Sequence, residues 1–300
     1  MFLPVLAVLG SIVSLTVGTS YGKALFETIG AGGTAAYRVV FAAIILMCVW
    51  RPWRFAVTAA DRWPIVRYGI TIGVMNFFFY QAINRLPLGI AIAIEFTGPL
   101  AVAVLSSRRV LDFVWVALTV LGLVLILPLQ QTPPPTICPH PISTGILSLP
   151  PCGLDPLGVV FAFVAALMWA WYIVFGKRVS HLHGGAVAAW GMMAGSVVIV
   201  PLAAWESGAR LWAPHLIPAA LVLAVASSAV PYTLEMFALK RLPKNTFSIL
   251  LSLEPAVGAL TGFVVLHEVL SWQQWVAIAC IMSASVGAAM KARKPVEIVP

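Results

Sequence analysis

The chain has 300 residues, 61% of them hydrophobic and 9% charged, with a formal net charge of +8 and a mean hydropathy of +0.99. A chain this apolar has no polar coat to present to water, which excludes a soluble domain. It belongs in a bilayer, where each spanning helix needs roughly 20 mostly apolar residues.

Met1 to Gly22 carries no charge. A secretory signal starts with a basic segment and stops after a shorter apolar core, so this stretch is expected to stay as the first helix. Within it, "GTSYG" at Gly18–Gly22 has the small-xxx-small spacing that lets membrane helices pack closely. Counting apolar runs onward predicts ten spans, at 3–22, 34–50, 67–84, 88–106, 111–129, 156–176, 186–205, 215–237, 246–266 and 272–290.

Basic residues decide the orientation of these spans. With the N-terminus in the cytoplasm, fourteen of the 18 Lys and Arg fall in inner connections, and only Lys23, Arg38, Arg85 and Arg210 fall outside. An odd number of spans would scramble that bias. The fold expected is therefore an all-α integral membrane protein of ten transmembrane helices with both termini cytoplasmic. Topology then accounts for the positive charge, and nucleic acid is not expected as a partner.

The one long polar break, "QQTPPPTICPHPISTGILSLPPCGLDP", is placed outside by this topology and splits the chain. The division expected is a five-helix repeat at 1–129, a proline-rich external loop at 130–155, a second five-helix repeat at 156–290 and a cytoplasmic tail at 291–300. Cys138 and Cys152 lie in the loop, and two thiols in an oxidising compartment suggest a disulfide; the alternative is a proline-rich linker with both reduced. Cys48 and Cys280 lie inside spans as small apolar residues.

Two internal matches support the division. "RLPLGIAIAIEFTGPL" at Arg85–Leu100 lies over "RLPKNTFSILLSLEPA" at Arg241–Ala256, an offset of 156, sharing Arg-Leu-Pro and a proline fourteen residues later. "GKALFETIG" at Gly22–Gly30 lies over "GKRVSHLHG" at Gly176–Gly184, an offset of 154. Five spans is an odd number, so the second half enters the membrane from the opposite side. Inverted repeats are a common plan of secondary transporters, with the substrate site near the midplane between the halves.

Glu95, Glu235 and Glu254 sit inside apolar runs. At about 2.5–3.5 kcal/mol for a charged residue at the bilayer centre, the three together cost roughly 8–10 kcal/mol, comparable with the whole stability of a typical domain. Such residues must face a polar cavity or spend time protonated. Low dielectric favours the neutral acid, so a carboxylate there can take and release a proton as its side of the membrane opens, or accept the ammonium of an amino acid. Glu95 lies about 10 Å in from the expected start of its span at Leu88, and Glu254 enters from the opposite face.

Prolines sharpen the site. Pro99 leaves the carbonyl of Glu95 without its helix partner, Pro255 does so for Leu251 and Pro231 for Ser227. Freed carbonyls in a bilayer are tolerated where they line a cavity or are buried in protein, so "EFTGP", "SSAVPYTLE" and "LSLEP" read as broken segments around one site, or as kinks made for packing. Tyr232 lies in the second of them. Lys23 could attract a substrate carboxylate or snorkel to the headgroups. Asn76, Tyr80 and Gln81 offer a cavity face. Trp169, Trp171 and Tyr172 fit either a substrate wall or an interfacial belt. Glu235 could pair with Lys240 or Arg241 instead of titrating alone, and Glu268 is expected to cap a helix or meet water.

Enzyme motifs fail on inspection. "HEVLS" at His267 lacks the second zinc-binding histidine, and "FGKR" lacks the earlier glycine and the hydroxyl residue of a phosphate loop. No metal and no cofactor is expected.

"PLGIAIAIEFTGPLAVAVLSSRRVLDFVWV" (Pro87–Val116), "VPYTLEMFALKRLP" (Val230–Pro243) and "LSLEPAVGALTGFVVLHEVL" (Leu251–Leu270) resemble the bacterial inner-membrane threonine/homoserine exporters, in the EamA branch of the drug/metabolite transporter superfamily. The likeness extends over nearly all of 1–290. It implies ten helices as an inverted repeat of five, a central cavity, and efflux of small amino acids driven by proton entry. It covers Lys23, Glu95, Pro99, Glu235, Glu254 and Pro255. Two departures bear on the substrate: the longer outer loop with its cysteine pair, and His267 where the family usually has glycine. The rival within the class is a broader carrier of other amino acids, amines or lipophilic cations. From other classes, a receptor or assembly subunit has no need of the inverted repeat, and no nucleophile with its base emerges for an enzyme.

Overall fold

A computed structural model of the chain describes residues 2–105, 112–126, 155–179, 181–212, 214–239, 241–242 and 250–291. Cys138 and Cys152 lie outside the described residues. Among those described, every regular element is helical: α1 (Phe2–Lys23), α2 (Phe26–Trp50), α3 (Ala59–Ile83), α4 (Leu88–Glu95), α5 (Thr97–Leu105), α6 (Asp112–Ile126), α7 (Pro156–Arg178), α8 (Gly184–Ser207), α9 (Ile217–Ala224), α10 (Val230–Leu239), α11 (Glu254–Leu266) and α12 (Trp272–Lys291). Of these, α1, α2, α7 and α8 are long and apolar enough to cross a membrane, at 21 to 25 residues each.

Local chemistry sets the ends. Asp155 accepts a hydrogen bond from the Leu157 amide (2.9 Å) and Pro156 opens α7, while Lys177 and Arg178 occupy its last turn, where cations suit the helix dipole. Arg85 donates to the same Asp155 across 2.8 Å. Burial alone would raise the Asp155 carboxyl; the hydrogen bonds from Arg85 and the Leu157 amide outweigh it and hold the group below its usual range. α2 runs from Phe26, before the expected 34, as a short first piece joined across a kink at Gly30 (φ 74, ψ 170) to the longer helical stretch that follows. That early start carries Arg38, expected at the outer edge, into the middle of the helix.

The helical path is interrupted in three places. α4 ends at Glu95 and α5 resumes at Thr97; a π turn over Val225–Ala229 joins α9 to α10; and a turn at residues 252 and 253 precedes α11. Pro99, Pro231 and Pro255 follow these interruptions.

Helices from before the proline-rich break pack chiefly on helices from after it: α1 on α10, α2 on α8, α3 on α7 and α8, α4 on α11, and α6 on α12. Small residues make the crossings close. A Cβ added to Gly69 would run into the Gly191 carbonyl oxygen, and one on Gly73 would lie 2.6 Å from that of Gly195, so α3 and α8 touch backbone to backbone. Gly18 of "GTSYG" packs on the π turn, where an added Cβ would lie 2.7 Å from the Ser227 nitrogen. The main core fills the space between α2, α3, α4, α7 and α8. Large apolar side chains such as Leu167, Val197, Phe263 and Val264 point outward, as a hydrocarbon-facing surface requires.

Candidate substrate cavity

The interrupted helices converge on a cavity of about 320 Å³. α1 supplies Leu15, Thr16 and Thr19, α2 supplies Arg38, and α3 supplies Met75, Asn76 and Phe79. Ile92 and Glu95 come from α4, Trp169 and Tyr172 from α7, Ser227 from the π turn, Pro231 and Glu235 from α10, and Leu251 and Glu254 from the start of α11. All three glutamates singled out in the sequence therefore meet at one space.

Their settings differ. Glu95 closes α4 and is buried, whereas Glu254 opens α11, where the helix dipole favours an anion. Glu254 is close enough to feel the charge of Glu235, and Arg38 acts on both Glu95 and Glu254. Glu235 accepts a hydrogen bond from the Ser11 hydroxyl at 2.7 Å; Lys240, considered above as its partner, lies outside the described residues.

The π turn explains how the cavity holds Arg38. Pro231 has no amide to give to Ser227, and the Val230 amide reaches back to Val225, so the carbonyls of Ser227 and Ala226 lose their helix partners. Arg38 Nη2 donates to the Ser227 carbonyl at 3.1 Å and Nε to Ser228 Oγ at 3.3 Å, while the Ser14 hydroxyl donates to the Ala226 carbonyl at 2.7 Å. Polar groups of α1 line the same region: Thr16 and Thr261 hydroxyls lie 3.0 Å apart, and Ser20 donates to the Thr16 carbonyl.

Other candidates separate. Asn76 lines the cavity, its amide nitrogen donating to the Ile72 carbonyl at 2.9 Å. Tyr80 is fully buried behind the wall under the Arg38 guanidinium, 5.7 Å from ring to Cζ, and its hydroxyl makes no hydrogen bond of good geometry although Thr19 and Ser227 are near. Trp169 and Tyr172 form a wall, Tyr172 stacking on Tyr68 and accepting from its hydroxyl at 3.1 Å, whereas Trp171 is 46% exposed on the outer surface of α7. The side chain of Tyr232 lies outside the described residues. Gln81 is drawn away to Glu206.

Lys23 is not in the cavity wall, and its side chain is only 20% accessible. It forms an ion pair with Glu268, whose other oxygen accepts the Leu88 amide at 2.7 Å and caps α4 from 180 residues away. Glu268 follows His267, which ends α11 in the left-handed conformation at φ 55 and ψ 31. That is a backbone conformation which favours glycine over histidine.

Arg38 is the residue that the sequence reading missed. The available signal was that it is the sole charge between Glu27 and Arg51.

An apolar helical body whose helices break around a cavity with three carboxylates and one guanidinium is that of a membrane transporter. The EamA-like transporter family model matches residues 156–290. Threonine/homoserine exporter RhtA of Escherichia coli (strain K12) is 41% identical over 297 residues, covering 99% of this chain and 95% of its own. The protein of that name from Salmonella typhimurium (strain LT2) is 40% identical over the same span. Protein PecM of Dickeya dadantii is 27% identical over 72% of this chain and 70% of its own. A solved crystal structure shares the fold at a TM-score of 0.55 and 18% identity, covering 97% of both chains. The chain belongs to the EamA-like transporter family. It is an integral membrane protein.

Proposed function

We propose that the chain exports small amino acids such as threonine and homoserine across the bacterial inner membrane in exchange for protons. The observation that carries this reading is 41% identity across 99% of the chain to a protein named as a threonine/homoserine exporter. The cavity supports it chemically. Its volume of about 320 Å³ suits a small molecule, and its carboxylates and guanidinium suit a zwitterion.

In this reading the ten spans form two inverted five-helix repeats, 1–129 and 156–290, with both termini cytoplasmic. Moving Arg38 into the cavity leaves Lys23, Arg85 and Arg210 as the outer cations and makes the inward bias steeper. Glu95 at the end of one broken helix and Glu254 at the start of another are the inverted counterparts. Alternating access opens the cavity to one side at a time: facing out, the amino acid leaves and a glutamate takes up a proton; facing in, that proton leaves and the next amino acid binds.

The second reading, a broader carrier of amines or lipophilic cations, has the Trp169 and Tyr172 wall in its favour, since aromatic faces attract cations. One experiment tests both. Inside-out vesicles containing the protein are given labelled threonine with and without an acidic lumen. Accumulation that an uncoupler abolishes is expected; accumulation indifferent to the uncoupler removes the proton, and none above empty-vector membranes, with folded protein present, removes threonine.

A further inference from the structure

Arg38 is 8% exposed, sits in the middle of α2, and faces a cavity whose other charged members are acids. Among the described residues no carboxylate lies within ion-pair distance of it. Its hydrogen-bond partners are both neutral, the carbonyl of Ser227 and the hydroxyl of Ser228. A buried guanidinium met by two neutral acceptors and the Tyr80 ring, with no carboxylate paired to it, is expensive to keep, because five donors and a full charge have left water.

Holding the π turn together does not require that charge. Two neutral acceptors could be met by an amide side chain, which has two donors. What the serine contacts do is fix the guanidinium plane through Nε and Nη2; among the described residues no other hydrogen bond of good geometry engages its remaining N–H groups, and the side chain forms part of the cavity wall beside Tyr80. A fork pre-set in this way matches a planar carboxylate. Glu95 and Glu254 stand close enough to interact with Arg38 electrostatically but do not pair with it, so the cavity keeps its positive and negative groups apart. A molecule that carries both a carboxylate and an ammonium can answer both kinds of group.

We propose that Arg38 is the carboxylate-recognition residue of the cavity, binding the α-carboxylate of the transported amino acid while Glu95 or Glu254 receives its ammonium. This assignment rests on the amino-acid export reading. It adds a rule of selection: a substrate must carry both ends. Amino alcohols and amino-acid esters lack the anion that offsets the guanidinium, and lipophilic cations are repelled by it. Glu235, tied to Ser11, has no part in this recognition.

The test is competition against labelled threonine uptake in inside-out vesicles, using unlabelled threonine, threoninol and threonine methyl ester, for the wild type, Arg38→Gln and Arg38→Lys. In the wild type, threoninol and the ester should compete roughly 10- to 100-fold less well than threonine, the range for loss of a charged hydrogen bond. Arg38→Gln should raise the KM for threonine by a similar factor and bring the three competitors together; Arg38→Lys, with the charge but not the fork, should fall between. A merely structural arginine would slow transport and leave the preference for the carboxylate intact. That outcome, or equal competition by threoninol in the wild type, overturns the proposal.

If wild-type vesicles take up no threonine, the export reading fails by itself. The assignment is then judged on purified protein by thermal stabilisation with threonine, homoserine and other amino acids against their amino alcohols. Stabilisation confined to the carboxylate-bearing members and lost in Arg38→Gln sustains it. Stabilisation by both classes alike, or by neither, overturns it.

Discussion

Glu254 and Glu95 stand at opposite ends of their helices, one at a positive dipole end and one at a negative end, beside the same arginine. Replacing Glu254 by Gln keeps the shape and hydrogen-bonding atoms but removes the titrating group. Gradient-driven transport is expected to be lost while the protein folds and elutes as the wild type does; wild-type rates would show that this carboxylate carries no proton. His267 invites the opposite kind of change. An L residue in the left-handed region costs roughly 1–2 kcal/mol, which glycine does not incur, so His267→Gly should raise the thermal midpoint without altering transport. An unchanged or lowered midpoint would mean that the imidazole makes a compensating contact. The glutamates were legible in the sequence because a charge in an apolar run stands out against everything around it. Arg38 was not, because its meaning depended on where α2 begins, and the non-helical Gly30 conceals that start. The Lys23–Glu268 pair joins residues 245 apart, beyond the reach of any local pattern.

Element pairing rests on close backbone approach more than on side-chain interlocking. In lipid there is little hydrophobic gain from bringing two apolar helices together, so van der Waals contact and interhelical hydrogen bonds do the joining. The α3–α8 crossing shows the consequence: the Cβ of a Gly73→Ala variant would fall 2.6 Å from a carbonyl oxygen that has nowhere to retreat. Its cost should be about 1–3 kcal/mol, typical of overpacking, and Gly73→Val should cost more. A thermal-melt series in detergent checks this, and a neutral Gly73→Ala would show that the two helices part easily. At the head of α7, the Asp155–Arg85 contact is polar and partly exposed, with side chains 35% and 38% accessible. Because the folded carboxyl titrates below its usual value, it stabilises the protein above that value, and the gain is lost as the pH falls through the lowered one. Solvent screening keeps the effect below about 1 kcal/mol. The wild-type midpoint should therefore fall slightly more between pH 6 and pH 3 than that of Asp155→Asn, and equal falls would mean the contact is electrostatically idle.

At the scale of the whole molecule, the pairing of early helices with late ones gives the cavity its walls from both sides of the proline-rich break: α1, α2, α3 and α4 from one side, and α7, α10 and α11 from the other. Rocking one half against the other is a common way to open such a site to alternate sides, and halves related by inversion need an odd number of spans in each. The orientation is therefore part of the mechanism, and it can be measured without transport. Reporter domains that mature only in the cytoplasm or only outside it, fused after residue 57, after residue 140 and at the C-terminus, should report cytoplasm, outside and cytoplasm in turn. The middle fusion also places Cys138 and Cys152: outside, a membrane-impermeant thiol reagent should label them only after reduction if they are bridged, and without it if they are not. A cytoplasmic signal at residue 140 would leave each half with an even number of spans. The two halves would then enter the membrane in the same sense, and Glu95 and Glu254 would no longer be inverted counterparts approaching the cavity from opposite faces.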